Sequence, residues 1–457
     1  MPHTHAVNRR AFLRNAGLTA LAGAAVGTGT PLVAATPALA PGIEPPDGRY
    51  DFDTIYSRIG TNCTKWDRQI NAYGKDNIAV GMGIADMDFR VAPSITKALT
   101  ERIAHENWGY LDTMDPFVET VVKWNKSRYG LDINPKNVVM SMGVHPAIIA
   151  TLKAFCPVGS KVLLNTPTYN GFYGDLREAR VLPEENPMKL VNGRYSMDFE
   201  DFERRIGPDT HAYILCNPQN PTGNCWSRED LDTIGEICLK RRVVVLADEI
   251  HCDFVSKGNK YTPFASLANK AVVNNSITFK AASKSFSLAA MKCAWYFSDN
   301  PDYLAKIRVH HRADISTLGL IASQAGYQGG EDWLNQVNEY IEGNHDFVQK
   351  FVAANLPAIK VAKPQGTYLS WLDVTDLANR IGAKRMAEEA NAKAPSAAPV
   401  TPETMVERWL VRNAKVHLNQ GASYGRGGEN HMRMNIATSR KLVELALTNM
   451  AEALRKT

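Results

Sequence analysis

Four largely apolar runs, Lys161-Val162-Leu163-Leu164, Ala212-Tyr213-Ile214-Leu215-Cys216, Val243-Val244-Val245-Leu246-Ala247 and Ser276-Ile277-Thr278-Phe279, alternate with longer stretches of helical composition. Short runs without a polar face fit strands covered on both sides, and strands that alternate with helices build a parallel sheet. Each run ends where polar residues gather. The expectation is therefore an α/β fold with a mostly parallel sheet sandwiched by helices, and with its chemistry at the carboxyl ends of the strands.

The residues at those ends are specific. Asn217-Pro218-Gln219-Asn220-Pro221-Thr222-Gly223 follows the second run, Asp248-Glu249-Ile250-His251 ends the third, and Ser283-Lys284-Ser285-Phe286 lies just past the fourth. Taken singly, they read as a turn, a solvated strand end and a surface lysine. In register, with 28 residues from Asn220 to Asp248 and 36 from Asp248 to Lys284, they put an amide, a carboxylate and an amine at strand ends. Gly143-Val144-His145-Pro146 runs into the helical Ala147-Ile148-Ile149-Ala150, so free backbone N–H groups and the helix dipole can face an anion there.

From about Asn335 the pattern changes to a long helix, then to Gly366–Leu372 as a strand, then to further helix and strand. The reading is a linker and the N-terminal part of a small domain over 41–92, a large domain over 93–334 and a C-terminal small domain over 335–457. Ala390 to Pro402, rich in Ala and Pro without periodicity, reads as a mobile surface loop.

Composition limits the remaining choices. The chain has 457 residues, 44% of them hydrophobic, which is ample for a large and a smaller core. Its first forty residues carry Asn8-Arg9-Arg10-Ala11-Phe12-Leu13-Arg14, then a weakly apolar Ala/Gly-rich stretch ending in Ala38-Leu39-Ala40. They read as a twin-arginine export signal over 1–40, which places the mature protein in the periplasm or outside the cell with no membrane anchor. Without Arg9, Arg10 and Arg14 the mature part has 49 basic and 47 acidic residues, a net charge of +2 that gives no case for nucleic acid. The seven cysteines form no C-x-x-C pair and read as small core residues, neither a disulfide framework nor metal ligands.

The three motifs together resemble those of the fold-type I, class I/II aminotransferase superfamily. Further stretches are similar to its MalY/PatB-type cystathionine and cysteine-S-conjugate β-lyases: Arg58-Ile59-Gly60-Thr61-Asn62-Cys63-Thr64-Lys65-Trp66-Asp67, Ala85-Asp86-Met87-Asp88-Phe89, Trp108-Gly109-Tyr110, Asp248-Glu249-Ile250-His251-Cys252-Asp253, Pro364-Gln365-Gly366-Thr367-Tyr368 and Arg433-Met434-Asn435-Ile436. The resemblance spans nearly the whole mature part.

It implies pyridoxal 5'-phosphate as cofactor and assigns roles residue by residue. Lys284 would carry the cofactor covalently and move the substrate's Cα proton. Asp248 would face the pyridine nitrogen, with His251 of the same motif also in the cofactor site. Asn220 would hydrogen-bond the phenolic oxygen, and Tyr169 of Pro167-Thr168-Tyr169 would stack on the ring. Val144 and His145 at the helix start, with Lys292, would hold the phosphate, and Tyr110 would reach the phosphate of a neighbouring subunit in a homodimer with shared sites. Arg433 would clamp the α-carboxylate of a small amino-acid-like substrate.

Three positions depart from the lyase pattern. Gly83 stands where a tryptophan is usual, His145 replaces an apolar residue, and Asn170-Gly171 replaces a bulkier pair. They would border the substrate, so two reactions stay open on the residues alone: β-elimination from a cysteine S-conjugate, and transamination of a small metabolite or peptide-like precursor by an exported aminotransferase.

Overall fold

The computed structural model describes residues 42–45, 47–191, 193–394 and 399–457; the leader expected over 1–40 lies outside them. Seven strands form the large sheet: β1 Val138–Ser141, β2 Lys161–Thr166, β3 Leu182–Pro187, β4 Thr210–Cys216, β5 Val244–Asp248, β6 Ser276–Lys280 and β7 Ala294–Phe297. Their order across the sheet is β1-β7-β6-β5-β4-β2-β3, and only β7 runs against its neighbours.

Successive side chains of a strand point to opposite faces, and here both faces are covered. Val162, Leu164, Ile214, Leu246 and Ile277 pack on one side with Ile148 and Leu152 of helix Val144–Phe155 and Phe172 and Leu176 of helix Gly171–Ala179. Leu163, Tyr213, Leu215, Val245 and Ala247 pack on the other side with Leu231, Ile234 and Cys238 of helix Arg228–Arg241. Fully burying each large aliphatic side chain contributes about 1.5–3 kcal/mol, which is why these strands are apolar without alternation. All seven cysteines are free and buried, as small core residues are.

Helix Glu331–Asn355 leads from this layer into a four-stranded antiparallel sheet of β8 Lys360–Val361, β9 Leu369–Asp373, β10 Asn419–Gln420 and β11 His431–Asn435, in the order β8-β9-β11-β10. Val80–Gly81 pairs in parallel with Val416–His417, and Met82 accepts from the Asn435 backbone at 2.7 Å, so the segment after Val80 runs alongside the C-terminal sheet.

Of the loop expected over Ala390–Pro402, residues 390–393 end one helix and Pro402 opens the next, 394 and 399–401 are non-helical, and 395–398 lie outside the described residues. Alanine is the best helix former, and helix Ala383–Lys393 buries Ala383 and Ala387 against the next helix. That next helix, Pro402–Trp409, starts with proline at its first position and is capped by Thr401, whose hydroxyl accepts from the Thr404 backbone at 3.3 Å. Among the described residues, no helix is long and apolar enough to cross a membrane.

Candidate active site

Strand β5 delivers Asp248 at its carboxyl end, beside Phe279 of β6 and Cys216 of β4. Strand β6 passes into the helical turn Ala282–Ser285, which carries Lys284. Lys284 Nζ donates to the Ala85 carbonyl at 2.7 Å. Burial, then the nearby Arg433 guanidinium, pull its pKa down to about 8, so about a tenth of the amine is neutral and nucleophilic at pH 7, far more than for an ordinary lysine.

Asp248 is buried, and the Ile250 backbone N–H at 3.2 Å is the one donor to its carboxylate among the described residues. Burial pushes its pKa up to about 7. A carboxylate so poorly supplied with donors is costly unless a cation faces it, and a protonated pyridine nitrogen is such a cation. Other buried polar atoms also lack partners here: Nδ1 of His251, Nε of Arg433, Oγ1 of Thr222 and Oδ1 of Asp86. The groups fit pyridoxal phosphate, with Lys284 to bind it, Asp248 to face its ring nitrogen, and donors to spare.

The rest of the Asp248-Glu249-Ile250-His251-Cys252-Asp253 motif holds the floor. Glu249 accepts from the Phe264 backbone at 2.8 Å and from the Tyr261 hydroxyl. Asp253 binds Arg128 at 2.9 Å and also accepts from Tyr129 and from Ser285, the neighbour of Lys284. Lys280 is buried over the rings of Tyr129 and Tyr261, 4.5 and 5.0 Å from their centroids. His251 is buried, and burial with the cations of Lys284 and Arg433 keeps its imidazole neutral.

Arg433 arrives from β11. One guanidinium nitrogen donates to Asn220 Oδ1 at 3.1 Å and the other to the Gly83 carbonyl at 2.7 Å, while the Tyr424 ring lies 5.1 Å below it. A Cβ on Gly83 would come within 2.5 Å of Asn419 Oδ1 and 2.7 Å of His417 Cε1, so these two side chains take the place of the tryptophan expected at that position. Tyr169 is half-buried, edge-on to Phe172 at 5.4 Å, and its phenol is pushed up to about 12 by burial. Gly143 caps the helix that Val144 and His145 begin. Lys292 is exposed in a left-handed conformation with φ 54°, and Tyr110 is fully exposed; among the described residues no hydrogen bond or ion pair joins either to this cluster.

The two lyase-like N-terminal stretches prove to be one device. Arg58 binds Asp86 at 2.9 Å and Asp88 at 3.2 Å, Lys65 binds Asp88 at 2.7 Å, and the Trp66 indole donates to Asp88 at 3.1 Å. Asp67 accepts from the backbones of Gly60 and Cys63 at 2.8 and 2.9 Å, shaping the turn between them. From the other side, Asn435 donates to the carbonyls of Ile84 and Asp86, both at 2.6 Å, and Tyr368 to that of Ala85 at 3.0 Å. The net result is a rigid Ala85 carbonyl under the Lys284 amine.

Sequence reasoning missed Asp175, on helix Gly171–Ala179, which binds His145 Nδ1 at 2.8 Å. The one available signal was the shared oddity of His145 and Gly171. It also missed Ala85, because a carbonyl acceptor leaves no trace in side-chain identity.

The family profile "Aminotransferase class I and II" matches residues 77–449. The cystathionine β-lyase PatB of Bacillus subtilis is 34% identical over 411 residues, covering 88% of this chain and 100% of that one. Protein MalY of Escherichia coli is 28% identical over 415 residues, covering 89% and 99% of the two chains. Among solved structures, the PLP-bound C–S lyase of Staphylococcus hominis superposes with a TM-score of 0.77 at 28% identity, covering 89% of this chain and 100% of that one.

Proposed function

We propose that this chain, which belongs to the class I and II aminotransferase family, is a pyridoxal-phosphate-dependent carbon–sulfur β-lyase of fold type I that converts a cysteine S-conjugate to thiol, pyruvate and ammonia. The observation that carries the reading is the Ala85 carbonyl that accepts from Lys284 and Tyr368, in a lyase-like segment whose Asp86 and Asp88 are held by Arg58 and Lys65 of the other lyase-like stretch.

When bound, the cofactor supplies a cationic ring that takes up the electron pair left on Cα. Asp248 would keep that ring protonated, and Asn220 would donate to its phenolic oxygen. Lys284 would hold the group covalently, and its Nζ would take the substrate's Cα proton; a pKa of about 8 leaves the amine basic, with about a tenth of it neutral at pH 7. Arg433, held by Asn220 and the Gly83 carbonyl, offers a planar fork to the substrate's α-carboxylate. His251 stays neutral in the wall. The buried walls exclude water from the proton that Lys284 moves.

Two further parts of the reading rest on sequence features. The active unit is a homodimer in which Tyr110 and Trp108, both exposed here, are covered by the partner, with Tyr110 and Lys292 completing the phosphate end. The mature enzyme works in the periplasm or outside the cell after export by the twin-arginine leader.

The test is a panel of S-substituted cysteines and cystathionine without any 2-oxo acid. Stoichiometric pyruvate and ammonia support elimination. No pyruvate, with a half-reaction that resumes only when a 2-oxo acid is added, makes the enzyme an aminotransferase instead.

A further inference from the structure

Two of the departures from the lyase pattern, His145 and Gly171, meet in one place. A Cβ on Gly171 would lie 2.7 Å from Cε1 of His145 and 2.5 Å from Cε1 of Tyr169, so glycine is what leaves both rings where they are. The helix that Gly171 opens carries Asp175, whose side chain is only 6% exposed and whose two oxygens both lie 2.8 Å from His145 Nδ1. Nε2 of the same imidazole lies 3.3 Å from the Tyr169 hydroxyl. Asp175, His145 and Tyr169 thus form an unbroken hydrogen-bonded chain, from a buried carboxylate to the aromatic that borders the cofactor site.

The chemistry of the three groups fixes what this chain can do. An ionised carboxylate only accepts, so Nδ1 of His145 carries a proton in either charge state. Nε2 then decides the direction of the last hydrogen bond. When protonated it donates to the Tyr169 oxygen, and the phenolic proton is free to point elsewhere. When neutral it accepts, and the phenolic proton is tied to the imidazole.

We propose that His145 and Asp175 are positioning residues that keep the Tyr169 hydroxyl a proton donor toward the substrate's departing sulfur. The proposal rests on the β-lyase reading. As the Cβ–S bond breaks, its electron pair goes to sulfur, the Tyr169 proton goes to that sulfur, and the Nε2 proton of His145 returns to the phenolic oxygen; His145 recovers its proton from solvent, to which it is half exposed. No oxidant or reductant is involved.

The surroundings of both rings bear on the charge state. His145 faces Asp175 from its helix, Asp248 from β5 and Lys284 from the turn 282–285. Its hydrogen bond to Asp175 is the strongest of these influences and raises its pKa, while burial and Lys284 oppose. Burial raises Asp175 itself, and the imidazole pulls it back down. Tyr169 is half-buried and feels the charges of Arg433, Asp175, Asp248 and Tyr424.

The experiment measures two quantities in wild type, Asp175→Asn and His145→Gln: the His145 ring titration by NMR, in apoenzyme and holoenzyme, and the kcat–pH profile for pyruvate release by holoenzyme. With the aspartate charge gone, the titration of His145 and the alkaline limb of kcat should both move to lower pH, by the same interval, with KM little changed. His145→Gln, whose amide donates at every pH, should remove that limb. A His145 titration unmoved by Asp175→Asn overturns the proposal, and so does an alkaline limb that stays in place after the titration has moved or vanished. If Asp175→Asn does not fold, His145→Gln decides alone. Pyruvate release with an unmoved limb sinks this inference only, whereas no pyruvate from any variant or wild type sinks the lyase reading.

Discussion

Nη1 of Arg433 donates to Oδ1 of Asn220 across 3.1 Å, although the two residues lie 213 positions apart. The contact ties β11 of the C-terminal sheet to the turn after β4, so the proposed carboxylate clamp and phenolic-oxygen ligand are one mechanical unit.

Arg433→Ala removes both the clamp and that tie. Hydrogen bonds to charged groups contribute about 1.5–3 kcal/mol each, so loss of a bidentate pair should lower kcat/KM by on the order of 10²-fold or more, mainly through KM. Steady-state kinetics on one cysteine S-conjugate check this. The guanidinium also holds the Lys284 pKa down. Its removal should shift the titration of the free Lys284 amine in the apoenzyme to higher pH, and an unmoved titration would contradict that coupling.

Lys284→Ala should abolish both the covalent cofactor link and turnover. Borohydride reduction of wild type followed by peptide mapping should place the pyridoxyl group on Lys284; a label on any other lysine removes the central assignment.

Asp248 gives a test whose sign differs between the free and loaded protein. Its folded pKa of about 7 lies above the value of an unfolded carboxyl, so between those two values the folded apoenzyme binds more protons than the unfolded chain and loses stability as pH rises. Asp248→Asn removes this loss and should stabilise the apoenzyme at pH 8 by a few kcal/mol relative to wild type, with little difference near pH 4. The same change should weaken cofactor binding. Denaturant melts of both proteins at the two pH values, with and without cofactor, decide it; an apoenzyme destabilised at pH 8 would be the wrong result.

Lys65 and Asp88 form a pair whose side chains are 0% and 2% exposed. Removing one partner of an isolated buried pair costs about 3–5 kcal/mol, but without Lys65 the Asp88 carboxylate keeps Arg58 at 3.2 Å and the Trp66 indole at 3.1 Å. Lys65→Met should therefore destabilise by less than that amount, and Asp88→Leu added to it should recover part of the loss. Because the pair shapes the segment whose Ala85 carbonyl meets Lys284, Lys65→Met should also lower kcat where the protein remains folded. A double variant no better than the sum of its parts would show that the two do not act as a pair.

Some of this architecture was legible because local chemistry alone determines it. Strands β2, β4, β5 and β6 are covered on both faces and hence largely apolar, so they stand out in the chain. Strand β3, Leu-Pro-Glu-Glu-Asn-Pro, does not: it lies at the sheet edge, paired on one side only, where proline and charge are tolerated. The end of the helix at Ala383–Lys393 was hidden by the Ala/Pro-rich composition that follows it, of which Pro402 opens the next helix. In the site, Asp248 and Lys284 were readable because each follows a recognisable strand. Asp175 was not, because its role depends on an imidazole 30 positions away that only folding brings to 2.8 Å.

The leader is the last matter open to test. Residues 1–40 carry the paired Arg9-Arg10, a weakly apolar stretch interrupted by glycine and threonine, and small residues before Ala40. The fold supplies a physical reason for a route that carries folded cargo. Lys284 is ready for its cofactor only once Ala85, Arg58, Lys65 and Tyr368 have assembled around it, which requires segments from both ends of the described chain. A chain threaded unfolded across a membrane would have to find the phosphorylated cofactor on the far side. All seven cysteines are buried as free thiols, so folding needs no oxidising compartment. Residues 1–40 fused to a fluorescent reporter should therefore carry it out of the cytoplasm already folded, and Arg9→Lys with Arg10→Lys should hold it inside. Undiminished export of the double variant, or export of reporter that is never fluorescent, would show that the leader uses another route.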